Sequence, residues 1–195
     1  MSQTRAVILA AGSSERLGQP KALLPIDADG TPLVAWLVNR LERAEVPTLI
    51  VTNVELAPTI MTACPGVTVV INPNPDAGRV GSLQHGIKAW LDTKGSRQAF
   101  RLLIVPVDRP GWSDSTLSKL LEAKVSACPE ADGRGGHPLS ILPDELGHIL
   151  SAARDAPLNR LVSPDRIAVE DPYLHLNLDT PEDIELLRTF IASLV

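Results

Sequence analysis

The 195-residue chain has only two cysteines, Cys64 and Cys128. Each precedes a proline, and they lack the close paired spacing of a zinc site or redox motif, so both read as small buried hydrophobes. Aromatic residues make up 3% of the chain, too few to build stacking platforms for exposed bases. Positive charge is also in deficit, with 18 Lys and Arg against 23 Asp and Glu and a net charge of -5. Without a basic face to release counterions, nucleic acid is excluded as a partner. No apolar run approaches the ~20 residues that cross a bilayer, and Met1 to Arg5 leads into a strand-like run instead of a signal peptide. These absences predict a cytoplasmic protein without membrane association. What remains is ordinary for a folded domain, 44% hydrophobic and 21% charged, and the length suits a single domain over residues 1–195.

Short apolar runs alternate with helical spacing along the chain. Arg5 to Ala11 reads as a buried strand ended by Gly12, and Leu33, Leu37 and Leu41 fall at helical spacing behind Pro32. Leu49 to Val51 and Val67 to Ile71 read as strands around a short helix over Ala57 to Ala63. Ser82 is placed to cap a helix running to about Leu91. A fully apolar strand over Leu102 to Val105 follows, then a helix capped by Ser113 or Asp114 and reaching Val125. The last third supplies expected strands at Leu139 to Leu142, Ile167 to Val169 and Leu174 to Leu178, and a helix from Pro181 carrying Ile184, Leu187 and Ile191. This alternation predicts an α/β fold, a Rossmann-like three-layer sandwich around a mostly parallel, mixed sheet.

In such sheets ligands gather beyond the carboxyl ends of strands. The first loop there, Gly12 to Lys21, has glycines at 12 and 18, hydroxyls at Ser13 and Ser14, and cations at Arg16 and Lys21. Glycine backbone and paired cations suit an anion with the charge of a nucleoside triphosphate. The spacing is neither the Walker loop nor the dinucleotide fingerprint. Taken as chemistry alone, Ser13 to Arg16 fits a solvated turn, and Lys21 an exposed charge, equally well.

Two carboxylates close strand-like runs aimed at the same sheet edge: Asp108 in Val107-Asp108-Arg109-Pro110, and Asp179 in Leu178-Asp179-Thr180-Pro181-Glu182-Asp183. One or two carboxylates with phosphate oxygens and water commonly hold magnesium. Asp179 suits helix capping as well, with Pro181 and two acids in the first turn. Asn72 to Ser82 is turn-rich and ends on a helix start. His137, between glycine and proline, fits a solvent-facing turn as well as a phosphate contact.

The string Leu-Ala-Ala-Gly-x-Ser-x-Arg-x-Gly-x-x-Lys over Leu9 to Lys21, continued by Leu23-Leu24-Pro25, resembles the signature of the MobA-like nucleotidyltransferases, the molybdenum cofactor guanylyl- and cytidylyltransferases and their relatives. The resemblance implies a fold of the nucleotide-diphospho-sugar transferase type and a magnesium cofactor. It also implies that Leu9, Ala10, Ala11, Gly12 and Ser13 lie against the nucleotide, with Arg16 and Lys21 gripping the triphosphate as catalytic cations. Asp108 matches the family's Asp-x-Pro motif and Asp179 its C-terminal Asp-Thr-Pro-Glu-Asp, which makes both metal ligands and Asp108 catalytic. Ser82 corresponds to a base contact, and Gly133 to Pro138 is similar to a segment bordering the acceptor, which makes His137 an acceptor contact.

Ala10-Ala11-Gly12 resembles the cytidylyltransferase branch, so CTP as donor and a molybdopterin acceptor are expected. Asp108-Arg109-Pro110 departs from that branch's Asp-Gln-Pro, which leaves a sugar phosphate or another phosphorylated metabolite open. A non-catalytic delivery protein serving a molybdoenzyme client is the reading from another class.

Overall fold

A computed structural model describes residues 3–12, 17–93 and 99–194. Ser13 and Arg16, both assigned to the nucleotide, lie outside the described residues. The first strand, β1 (Thr4–Leu9), is followed by α1 (Leu33–Arg43), β2 (Thr48–Thr52), α2 (Ala57–Ala63), β3 (Thr68–Ile71), α3 (Arg79–Asp92) and β4 (Arg101–Pro106). Then come α4 (Asp114–Glu122), β5 (Ala127–Ala131), β6 (Arg134–Gly135), β7 (Leu139–Ile141), α5 (Leu146–Ser151), β8 (Asp165–Ala168) and α6 (Pro181–Ser193).

The strands form one mixed, mostly parallel eight-stranded sheet in the order β3-β2-β1-β4-β7-β5-β6, with β8 alongside β5. β1 pairs in parallel with β2 and β4, β2 with β3, and β5 with β8, while β7 runs antiparallel to β4 and β5.

The period of two along each strand splits the core into two layers. Ala6 and Ile8 of β1, with Leu103 and Val105 of β4, face a cluster completed by Leu37 of α1, Ile60 of α2, Leu117 of α4 and Phe190 of α6. Val7, Leu102 and Ile104 turn the other way, onto Val80, Leu83 and Ile87 of α3 and Ile149 of α5. Leu33, Leu37 and Leu41 are completely buried, each worth roughly 1.5–3 kcal/mol of transfer free energy. The expected three-layer α/β sandwich around a mostly parallel, mixed sheet is the one observed.

Several boundaries differ from the sequence reading, each for a local reason. Helix α3 starts at Arg79, with Gly78 at its N-cap, so Ser82 lies inside the first turns and caps nothing. Ser113, not Asp114, caps α4 by accepting from the Thr116 N–H at 3.2 Å, and the helix ends at Glu122, where Ala123 turns extended. Leu174 to Leu178 is no strand. The N–H of Leu174 returns to the Asp171 carbonyl and that of Leu176 to Tyr173, so the bonds a ladder would need are spent in turns behind Pro172. Strands β5 and β6 and helix α5 were not anticipated; β5 carries Cys-Pro-Glu, whose proline and charge hide a strand from pattern reading.

Candidate functional site

Parallel pairing of β1 with β4, in register Leu9↔Pro106, brings their carboxyl ends side by side. The loops that follow leave the same edge: Ala10 N–H donates to the Val51 carbonyl at 2.8 Å, and Val107 N–H to Leu9 at 3.0 Å. Leu178 N–H donates to the Asp108 carbonyl at 3.1 Å, which fastens the segment leading to Asp179 against the one carrying Asp108.

The two aspartates therefore converge. The Lys21 ammonium stands between them, 2.8 Å from Asp179 Oδ1 and 3.9 Å from Asp108 Oδ2. The Lys21, Asp108 and Asp179 side chains are only 15%, 27% and 32% exposed, so this cluster is shielded well beyond an ordinary surface ion pair. Asn177 Nδ2 donates to Asp179 Oδ2, holding the carboxylate from its other side. The capping alternative for Asp179 is also resolved. Thr180 caps α6 in a reciprocal box with Asp183, and Asp183 Oδ2 accepts the Asp179 N–H at 2.9 Å. The Asp179 carboxylate is left to face Lys21.

Above this pair opens a cleft of about 770 Å³, its solvent mouth included, bounded by Leu9, Ala10, Ala11, Gly12, Lys21, Ser82 and Asp108. A second cleft shares Ala11, Gly12, Leu56 and Pro75 with it and continues past Asn53, Glu55, Asn72 and Asp76. Sequence reasoning missed Arg79, the first residue of α3, which adds a cation to the first cleft. The available signal was Gly78. Its φ of 112° suits glycine, and a Cβ there would lie 2.7 Å from the Arg154 carbonyl oxygen. That same carbonyl accepts the Gly81 N–H at 3.1 Å, so the loop around Arg154 closes over the start of α3.

His137 does not itself bound either cleft, although Arg79 of the first cleft lies near it. Its Nδ1 is shut off from solvent and meets no hydrogen-bond partner among the described residues, so it is not a solvent-facing turn residue. Burial, reinforced by the nearby Arg79 and Arg109 guanidinium groups, pushes the imidazole down to about 3. The ring is therefore neutral in the folded protein at ordinary pH. An unfolded imidazole titrates near ~6.5, so below that pH the unfolded chain takes up a proton that the folded chain refuses until about 3. Stability should thus be full above the unfolded value and fall as pH drops, by up to about 1.4 kcal/mol per pH unit from this residue. Denaturant midpoints of the wild type and His137→Asn between pH 7 and 4 test this. The wild type should lose stability more steeply, and parallel curves would mean that His137 is not held neutral.

The model of a family described as "MobA-like NTP transferase domain" matches residues 6–192. A molybdenum cofactor guanylyltransferase of Xanthomonas euvesicatoria pv. vesicatoria is 33% identical over 122 residues, spanning 63% of this chain and 56% of that relative. A probable molybdenum cofactor guanylyltransferase of Rhodopirellula baltica is 28% identical and covers 91% of this chain and 88% of its own length. The crystal structure of a Mycobacterium tuberculosis Rv0371c homolog from Mycobacterium sp. strain JC1 has a TM-score of 0.76 at 24% identity, covering 97% of this chain and 98% of that one, and so shares the fold.

Proposed function

The chain belongs to the MobA-like NTP transferase family, and from that premise we propose that it transfers a nucleoside monophosphate from a nucleoside triphosphate to a phosphorylated acceptor, releasing pyrophosphate. One observation carries the reading: Lys21 bridges Asp108 and Asp179 at the floor of a cleft walled by Leu9 to Gly12. A phosphate oxygen of the acceptor forms a bond to the α-phosphorus, and the bond from that phosphorus to the bridging oxygen breaks. The electron pair leaves with pyrophosphate.

The chain's part is positioning and charge. Lys21, Arg16 and Arg79 would neutralise the triphosphate, and the backbone of Leu9 to Gly12 with Ser13 and Ser82 would hold the nucleoside. The neutral His137, near Arg79 and Arg109, would border the acceptor.

Two carboxylates that already converge on an ammonium fit a divalent cation, although among the described residues no three acidic, histidine or cysteine side chains gather as a complete cage. Asp108 and Asp179 would hold magnesium, with phosphate oxygens and water filling the remaining positions. When bound, the ion supplies charge neutralisation at the phosphates.

The names of both curated relatives support a molybdopterin-type acceptor. Those names favour GTP as the donor, against the CTP expected from Ala10-Ala11-Gly12; sugar phosphates remain the alternative acceptors. No helix among the described residues is long and apolar enough to cross a membrane.

The test is pyrophosphate release across the four nucleoside triphosphates, with magnesium, with and without molybdopterin or a sugar phosphate. Release that requires one acceptor and favours GTP is the expected result. Triphosphate binding without release under any acceptor would replace the enzyme with a delivery protein for a molybdoenzyme client.

A further inference from the structure

Asn72 directly follows β3, its backbone N–H donating to the Thr52 carbonyl at 2.7 Å, and the residue is 1% exposed. The orientation of its amide is fixed by two contacts. Oδ1 accepts the Asn74 N–H at 3.0 Å, so the opposite end must be the NH2 group, and that group donates to Ser82 Oγ at 3.0 Å.

The consequence lies with Ser82. A helical Ser or Thr commonly turns its proton onto the carbonyl four residues earlier, as Thr62 does to Pro58 at 3.0 Å, Ser151 to Gly147 at 2.8 Å and Thr189 to Glu185 at 2.9 Å. Ser82, second turn of α3 and 6% exposed, makes no such bond. Its oxygen receives the Asn72 amide, its own proton has no acceptor among the described residues, and the side chain borders the cleft.

We propose that Asn72 is a positioning residue that turns the Ser82 hydroxyl proton toward the nucleobase, so that this corner of the cleft favours a base presenting a carbonyl oxygen or unprotonated ring nitrogen there. The inference rests on the reading of the cleft as a nucleotide site. A base offering N–H or NH2 at the same point could meet only the remaining lone pair of Ser82 Oγ and would leave the Ser82 proton without an acceptor in a buried position. Such mismatches cost far more than the loss of a contact between well-solvated groups.

The informative variant is Asn72→Asp, which keeps the shape of the side chain but can only accept. The Ser82 proton would then turn to the carboxylate, and its lone pairs would face the base. Dissociation constants for the four triphosphates, and KM and kcat with the preferred one, would be measured for the wild type, Asn72→Asp, Asn72→Ala, Ser82→Ala and the Asn72→Ala/Ser82→Ala double variant. Asn72→Asp and Ser82→Ala should each weaken the preferred triphosphate by about ten- to a hundredfold, with KM carrying most of the change and base preference flattened. In the Ser82→Ala background, Asn72→Ala should cause no further loss of preference, because its effect passes through that hydroxyl.

A merely structural role for Asn72 would instead give additive losses that fall equally on all bases, and this result overturns the proposal. So does an unchanged base preference in Asn72→Asp when Ser82→Ala alters it. Preference that tracks removal of a sugar hydroxyl instead of the base edge, tested with 2′- and 3′-deoxy triphosphates, overturns it as well. If the wild type binds no triphosphate, the nucleotide reading of the cleft falls, which separates that failure from the others.

Discussion

Lys21→Met should lower kcat/KM for nucleotidyl transfer by about a hundredfold or more and, in the nucleotide-free protein, tighten the binding of a divalent cation. The two effects have one origin. The ammonium is 2.8 Å from Asp179 and 3.9 Å from Asp108, so it occupies the space between the carboxylates that would take a metal. With nucleotide present, the same charge would be needed on the phosphates, where burial and partial exclusion of water amplify its worth. Removing it deletes a cation from the transition state and a competitor from the free site. Met preserves the length of the apolar stem, so loss of packing contributes little. Steady-state kinetics and a manganese titration of the nucleotide-free protein measure the two arms. Wild-type turnover would remove Lys21 from the reaction. Metal binding that is unchanged or weaker would mean that Asp108 and Asp179 do not share a cation with it.

The parts of this site readable in the sequence were those set by local chemistry. A strand ended by glycine, and a second strand ended by Val107-Asp108, place loops at a sheet edge whatever the remaining topology, and both loops emerge there in register. The meeting of Asp108 with Asp179 was beyond such local reasoning, because it rests on contacts across a long stretch of chain, among them the backbone bond from Leu178 to Asp108 and the Lys21 bridge. That stretch also misled the reading. Leu174 to Leu178 alternates like a strand, yet its apolar side chains are buried by turns docked against Gly111 and Gly136 instead of by a ladder. Asn72 followed the same rule. Its identity was visible, but its partner Ser82 read as an N-cap, whereas α3 begins at Arg79, four residues earlier than a helix capped by Ser82 would, and holds Ser82 against Asn72.

Gly111→Ala should be the most damaging single-methyl change outside the cleft, costing on the order of 3 kcal/mol or more of stability. A Cβ at this position would lie 1.9 Å from the Tyr173 carbonyl oxygen, 2.7 Å from its carbon and 3.2 Å from Leu176 Cβ. Two of those three neighbours are backbone atoms, so no rotamer change relieves the overlap. That carbonyl also accepts the Leu176 N–H at 2.9 Å, and displacing it would open the turn that delivers Leu178 to Asp108 and Asp179 to Lys21. The loss should therefore appear twice: as a lowered unfolding midpoint, and as a fall in transfer activity measured well below that midpoint. Gly147→Ala is the matched control, since a Cβ there meets nothing within 4 Å and lies in a helix that favours alanine. If Gly111→Ala melts with the wild type, the close packing of residues 111 and 173 is wrong. If it melts early but keeps full activity at low temperature, the segment from Tyr173 to Asp179 does not depend on this contact to position the carboxylate.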